Sequence, residues 1–92
     1  MTSYASIERL EGKFVVAEVE LLPFEESSPE DYATKDTTII DIDLQEVTSY
    51  VGEVNEGDIL VVEHDGENVT LIYYKDEEER KRRVEILSKM WR

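Results

Sequence analysis

Apolar and acidic side chains alternate with a period of two along residues 37–44, where Ile40, Ile42 and Leu44 fall on one side and Asp41 and Asp43 on the other. That alternation fits a strand with one buried and one wet face, and it defeats the 3.6-residue period of an amphipathic helix. Residues 14–21 repeat the pattern, with Val15, Ala17, Val19 and Leu21 opposite Glu18 and Glu20. A strand over residues 4–10 precedes it across Glu11-Gly12-Lys13, where Gly12 supplies the positive φ of a tight hairpin. Two further strands, 59–64 and 69–74, flank Asp65-Gly66-Glu67-Asn68, and Asp-Gly between β-rich runs is a strong hairpin signal. The fold expected is mainly β with a C-terminal helix, a β-rich α+β protein. Its body is a small five-stranded partly open barrel or rolled antiparallel sheet, SH3-like or OB-like, with the helix packed over an end or edge.

The period changes at the end of the chain. DEEERKRRVEILSKMWR, residues 76–92, predicts an amphipathic helix with Asp76 as N-cap and Glu79 at the capping-box position. Its acids lead and its bases follow, as the helix dipole favours. Glu77–Lys81, Glu78–Arg82, Glu79–Arg83 and Glu85–Lys89 are spaced as (i, i+4) ion pairs. Val84, Leu87 and Trp91, with Met90 beside them, form an apolar stripe expected to face the core. A short helical turn is expected near Val47, Tyr50, Val51 and Val54. Residues 22–36, which hold both prolines, read as a mobile acidic loop. The whole chain, 1–92, is expected to be one domain: a β-rich body over 1–75 and the helix over 76–92.

Charge narrows the functional classes. The 23 acids against 10 bases leave a net charge of −13, and residues 36–74 hold ten acids with no Lys or Arg. Such a surface repels phosphate backbones and anionic bilayers, so neither nucleic acid nor membrane is an expected partner. Mutual repulsion among those ten carboxylates is expected to raise some of their pKa values. The absence of cysteine excludes disulfides, thiol nucleophiles and cysteine-based metal centres. No basic and apolar leader is visible in the opening residues and no apolar run reaches membrane length, which predicts a cytoplasmic protein.

Few residues invite chemistry. His64 is the single histidine, flanked by Glu63 and Asp65 at a strand end. It reads as a solvated hairpin residue, or else as a surface metal ligand or acid–base group. Asp41 and Asp43 share a strand face and would approach one cation together, yet the glycine and distal glutamate of a calcium loop are missing. The Arg80-Lys81-Arg82-Arg83 run reads as a helix face paired with its own acids and with the acidic body. No cofactor motif and no metal-ligand spacing occur.

The order of parts nonetheless has a counterpart. Glu8-Arg9-Leu10-Glu11-Gly12 is followed by Phe14-Val15-Val16-Ala17-Glu18, the Ile-Asp-Ile-Asp-Leu strand, Glu56-Gly57-Asp58-Ile59-Leu60, the Asp65-Gly66 turn and a charged helix ending near a tryptophan. In this the chain resembles the small bacterial and archaeal proteins of domain of unknown function family 3006. Glu8-Arg9 stands where that family usually has Asp-Arg, and the loop at 22–36 is longer. The resemblance implies a free-standing small protein or an appendage, such as a hydrolase accessory, and carries no catalytic residue with it.

The function expected is a non-enzymatic interaction module whose acidic surface meets a basic or cationic partner, with no cofactor. Asp41, Asp43, Glu63, His64 and Asp65 are the candidate partner surface. The alternatives are a small metal-dependent binding protein using the same carboxylates, and a nucleic-acid mimic.

Overall fold

A computed structural model describes residues 1–23 and 36–90. Its elements are β1 (Thr2–Glu11), β2 (Phe14–Glu20), β3 (Thr37–Asp43), α1 (Leu44–Val51), β4 (Ile59–His64), β5 (Val69–Lys75) and α2 (Glu77–Met90). The strands form one sheet in the order β3-β2-β1-β4-β5, every neighbouring pair antiparallel. β1, β2 and β3 are successive neighbours, and β4 returns beyond α1 to lie beside β1, which is Greek-key order. β3 and β5 remain edges, so the sheet is not closed, and α1 packs against both. The open five-stranded sheet is consistent with the partly open barrel or rolled sheet expected.

The alternating residues fill the concave side. Ala5, Ile7, Val15, Ala17, Val19, Ile40, Ile42, Leu60, Val62 and Ile72 make one buried cluster, closed by Val47 of α1 and by Val54. The β1–β2 register needs a correction to stay in phase. From the turn outward Glu11 pairs with Phe14 and Arg9 with Val16, and continuing that register would set Glu8 beside Ala17, facing the core. A bulge at Glu8 resets the pairing to Ile7 with Ala17, which buries the isoleucine and turns the glutamate outward. Gly12 closes this hairpin at φ +58°.

The strand expected over 37–44 stops one residue early, because Asp43 caps a helix. Its Oδ1 accepts from the N–H groups of Gln45 (2.8 Å) and Glu46 (3.4 Å), so Leu44 begins α1. The predicted helical turn is thus a helix of eight residues.

α2 departs more sharply from its expected packing. Asp76 Oδ1 accepts from the Glu79 N–H at 2.9 Å, as an N-cap should. The apolar stripe does not face the core: Val84 is 55% exposed and Leu87 39%, whereas Glu79 and Arg83 are only 1% and 7% exposed. The helix docks on the outer side of β1 and β4, where Tyr4, Ile59 and Val61 form a second, smaller cluster. The expected loop at 22–36 for the most part, and Trp91, lie outside the described residues.

Candidate functional site

The five residues predicted as a partner surface do not converge. β3 and β4 are separated in the sheet by β2 and β1, which puts Asp41 and Asp43 on one wing and Glu63, His64 and Asp65 on the other. Asp41 is exposed on the outer face, while Asp43 is occupied as the α1 cap. Glu63 accepts from Thr2 Oγ1 at 2.9 Å and lies 3.3 Å from the N-terminal ammonium. These contacts, the Thr2 hydrogen bond foremost, hold its carboxyl below the ordinary range. Asp65 closes the β4–β5 turn by accepting from the N–H groups of Asn68 (2.7 Å) and Glu67 (2.9 Å), which lowers its pKa as well. Where the acidic stretch was expected to push carboxyl pKa values up, local hydrogen bonds pull these two down.

His64 is neither a solvated hairpin residue nor a surface ligand, because it is 4% exposed. Its Nδ1 accepts from the Gly66 N–H at 3.1 Å, and Nε2 lies 2.9 Å from Ser3 Oγ. Ser3 Oγ donates its one proton to the Leu22 carbonyl at 2.7 Å, so Nε2 must carry hydrogen and the imidazole is neutral. Burial first, then the nearby N-terminal ammonium, lower its pKa. Among the described residues no three His, Asp or Glu side chains gather to hold a metal ion.

The site that does form was not visible in the residue spacing. Docking of α2 over β1 and β4, with Arg83 reaching Glu20 of β2, leaves a groove of about 280 Å³. On its sheet wall stand Ser6, Glu8 and Glu18, and on its helix wall Val84 and Leu87, with Ile59 between. Ser6 pairs with Glu18 across the β1–β2 ladder, so the bulge that turns Glu8 outward also brings it to Glu18. A hydrogen bond between these side chains, with burial and the charge of Glu18 adding to it, raises the Glu8 pKa. A cation seated between the two carboxyl groups would be attracted by both. No sequence signal marks this pair, because the bulge that aligns it is an extra residue that a period-two reading does not register.

Arginine closes the base of the groove. Arg83 donates to Glu20 Oε2 at 2.7 Å and to Glu79 Oε2 at 2.8 Å, and its Cζ lies 5.2 Å from the centre of the Tyr4 ring. Burial works against the Arg83 charge, but these two carboxylates outweigh it and its pKa is raised. Tyr4 is pushed up to about 12 by burial, then by the charges of Glu79 and Asp76. Arg80 pairs with Asp58 at 3.3 Å and Arg82 with Glu79 at 3.1 Å. The three arginines of the run are thereby engaged by acids of their own helix and of the body, but of the expected (i, i+4) pairs the structure gives Glu79–Arg83, and Arg82 turns to Glu79 where Glu78 was expected.

A larger hollow, about 480 Å³, lies between the β1–β2 turn and the start of α1. Its polar end is already used, since Asp43 takes the first free amides of that helix. Compared with known proteins, the chain matches no family model, no curated protein and no solved structure. The resemblance to family 3006 therefore rests on the residues that carry it.

Proposed function

We propose that this protein is a non-enzymatic interaction module, working in the cytoplasm, whose acidic outer face docks a basic protein. The observation that carries this reading is that the bulge in β1 sets Glu8 and Glu18 on the wall of one groove, in a chain with net charge −13. Like charges brought together cost free energy that a cationic side chain relieves on binding. A catalytic reading finds less support, because both ring nitrogens of His64 are engaged in structural hydrogen bonds. OB-like barrels bind oligonucleotides on their strand 2–3 face. Here that face carries Glu18 and Asp41, charges of the wrong sign for a phosphate backbone.

The test is capture by the immobilised protein from a native lysate, identification of the retained protein, and titration of the purified pair at low and high salt. A specific basic partner, whose affinity falls as salt rises, is the expected result. Retention of neutral or acidic partners alone, with salt-independent affinity, would overturn the reading.

A further inference from the structure

Val84 and Leu87 are apolar, exposed and aligned along the groove wall of α2, an arrangement that leaves greasy surface in water beside a carboxylate pair. The arginines of the helix are engaged elsewhere: Arg80 is on Asp58, Arg82 on Glu79, and Arg83 bridges Glu20 and Glu79. The helix wall also carries Arg80 and Arg83, but each is held by carboxylates of its own, so the sheet wall asks for positive charge and the exposed part of the helix wall for hydrocarbon. A small-molecule ligand typically needs roughly 300–1,000 Å³. The groove, at about 280 Å³, is sized for one or two side chains of a larger partner.

We infer that the groove is the recognition point for an extended segment of a basic protein, seating an Arg or Lys against Glu8 and Glu18 with a neighbouring aliphatic side chain on Val84 and Leu87. This rests on the interaction-module reading and deepens it, by assigning the place and the residue chemistry. The long apolar stems of Arg and Lys suit both walls at once, since hydrocarbon lies along the helix while the charged head reaches the carboxylates. Alternation of basic and aliphatic residues in the partner follows from the two walls facing each other.

The probe is a fluorescein-labelled eight-residue peptide amide alternating leucine and arginine, with two controls in which glutamine replaces arginine or serine replaces leucine. Fluorescence anisotropy should show binding of the first peptide, and about tenfold weaker binding of each control. The Glu8→Gln/Glu18→Gln double variant should lose about tenfold, as should Leu87→Ser, whereas Glu53→Gln/Glu67→Gln removes the same charge from exposed loops and should lose less than about twofold. Amide shift mapping should place the bound peptide at Ser6, Glu18 and Leu87. Equal losses from the two double variants would overturn the groove while leaving an acidic module in place. No binding of the leucine–arginine peptide, beside salt-sensitive capture of a basic partner, would overturn the groove alone. Failure of both would remove the module reading too.

Discussion

Protonating His64 means breaking the bond its Nδ1 accepts from the Gly66 amide, in a pocket that already faces the N-terminal ammonium. The carboxylates of Glu63 and Asp65 and the Glu20 carbonyl favour the proton, but burial and the ammonium prevail and the pKa is lowered. In the unfolded chain the imidazole takes its proton near pH 6.5. Below that pH the unfolded state binds more protons than the folded one, so this residue's stabilising contribution, full above 6.5, is lost as pH falls. One proton costs at most about 1.4 kcal/mol per pH unit, which bounds the loss between pH 6.5 and 5 at about 2 kcal/mol. Glu8 works oppositely: its raised pKa stabilises the fold below the ordinary glutamate range, and that contribution disappears as pH rises through the folded value. Urea denaturation at pH 7.5, 6.5 and 5.5 should show stability falling with acidification. The fall should be nearly absent in His64→Gln. Identical slopes in wild type and His64→Gln would refute the neutral buried imidazole. Charge repulsion read from the sequence alone gives the reverse sign over this range, because it takes no account of one buried base.

At the scale of elements, α2 is held by charge where its pattern called for hydrocarbon. Arg83→Met takes from the buried Glu20 and Glu79 the cation they share, with Arg82 still on Glu79, and breaking a buried ionic cluster from one side costs about 3–5 kcal/mol. A domain of this length has about 5–14 kcal/mol in total, so the urea midpoint should fall steeply. Replacing the whole cluster, as Glu20→Leu/Glu79→Leu/Arg83→Met, removes the desolvation penalty together with the attraction and should restore most of the loss. A single variant costing under about 1 kcal/mol would show that the helix is held by something else. The helix itself was legible, since the Asp76 cap and the Glu79–Arg83 spacing are local and both form. Its buried face was not, because Arg83 finds Glu20 across 63 residues, and no local period reports so distant a partner. Asp43 shows the same limit at short range: alternation makes it the wet side of a strand, but its geometry makes it the cap that ends the strand.

For the whole molecule, both hairpins were legible because Gly12 and Asp65-Gly66 sit between alternating runs. The strand order was not, since β1 pairs with β4 across a separation that alternation does not encode. What the sequence does state about the assembled object is its charge. The radius of gyration is 12.5 Å, and at about 0.01 M salt the Debye length is roughly 30 Å, so every exposed charge acts on every other. At about 0.5 M it falls to roughly 4 Å, and only touching groups still interact. A net charge of −13 makes the long-range sum repulsive. Exposed pairs such as Arg9–Glu11 at 2.6 Å weaken with salt too, but each is worth only about 0–1 kcal/mol. The Glu20–Arg83–Glu79 cluster is buried and largely shielded from screening. Repulsion is therefore the component that salt removes most, and the fold should become more stable as sodium chloride rises from 10 mM to 0.5 M at pH 7.5. Chloride is the right salt, because sulfate would strengthen apolar burial on its own account. The urea midpoint should climb with an unchanged slope, as expected when stability changes and the exposed area does not. A midpoint that falls with added salt would mean that surface ion pairs outweigh the excess of carboxylates, and would remove the electrostatic reason for this surface to seek a basic partner.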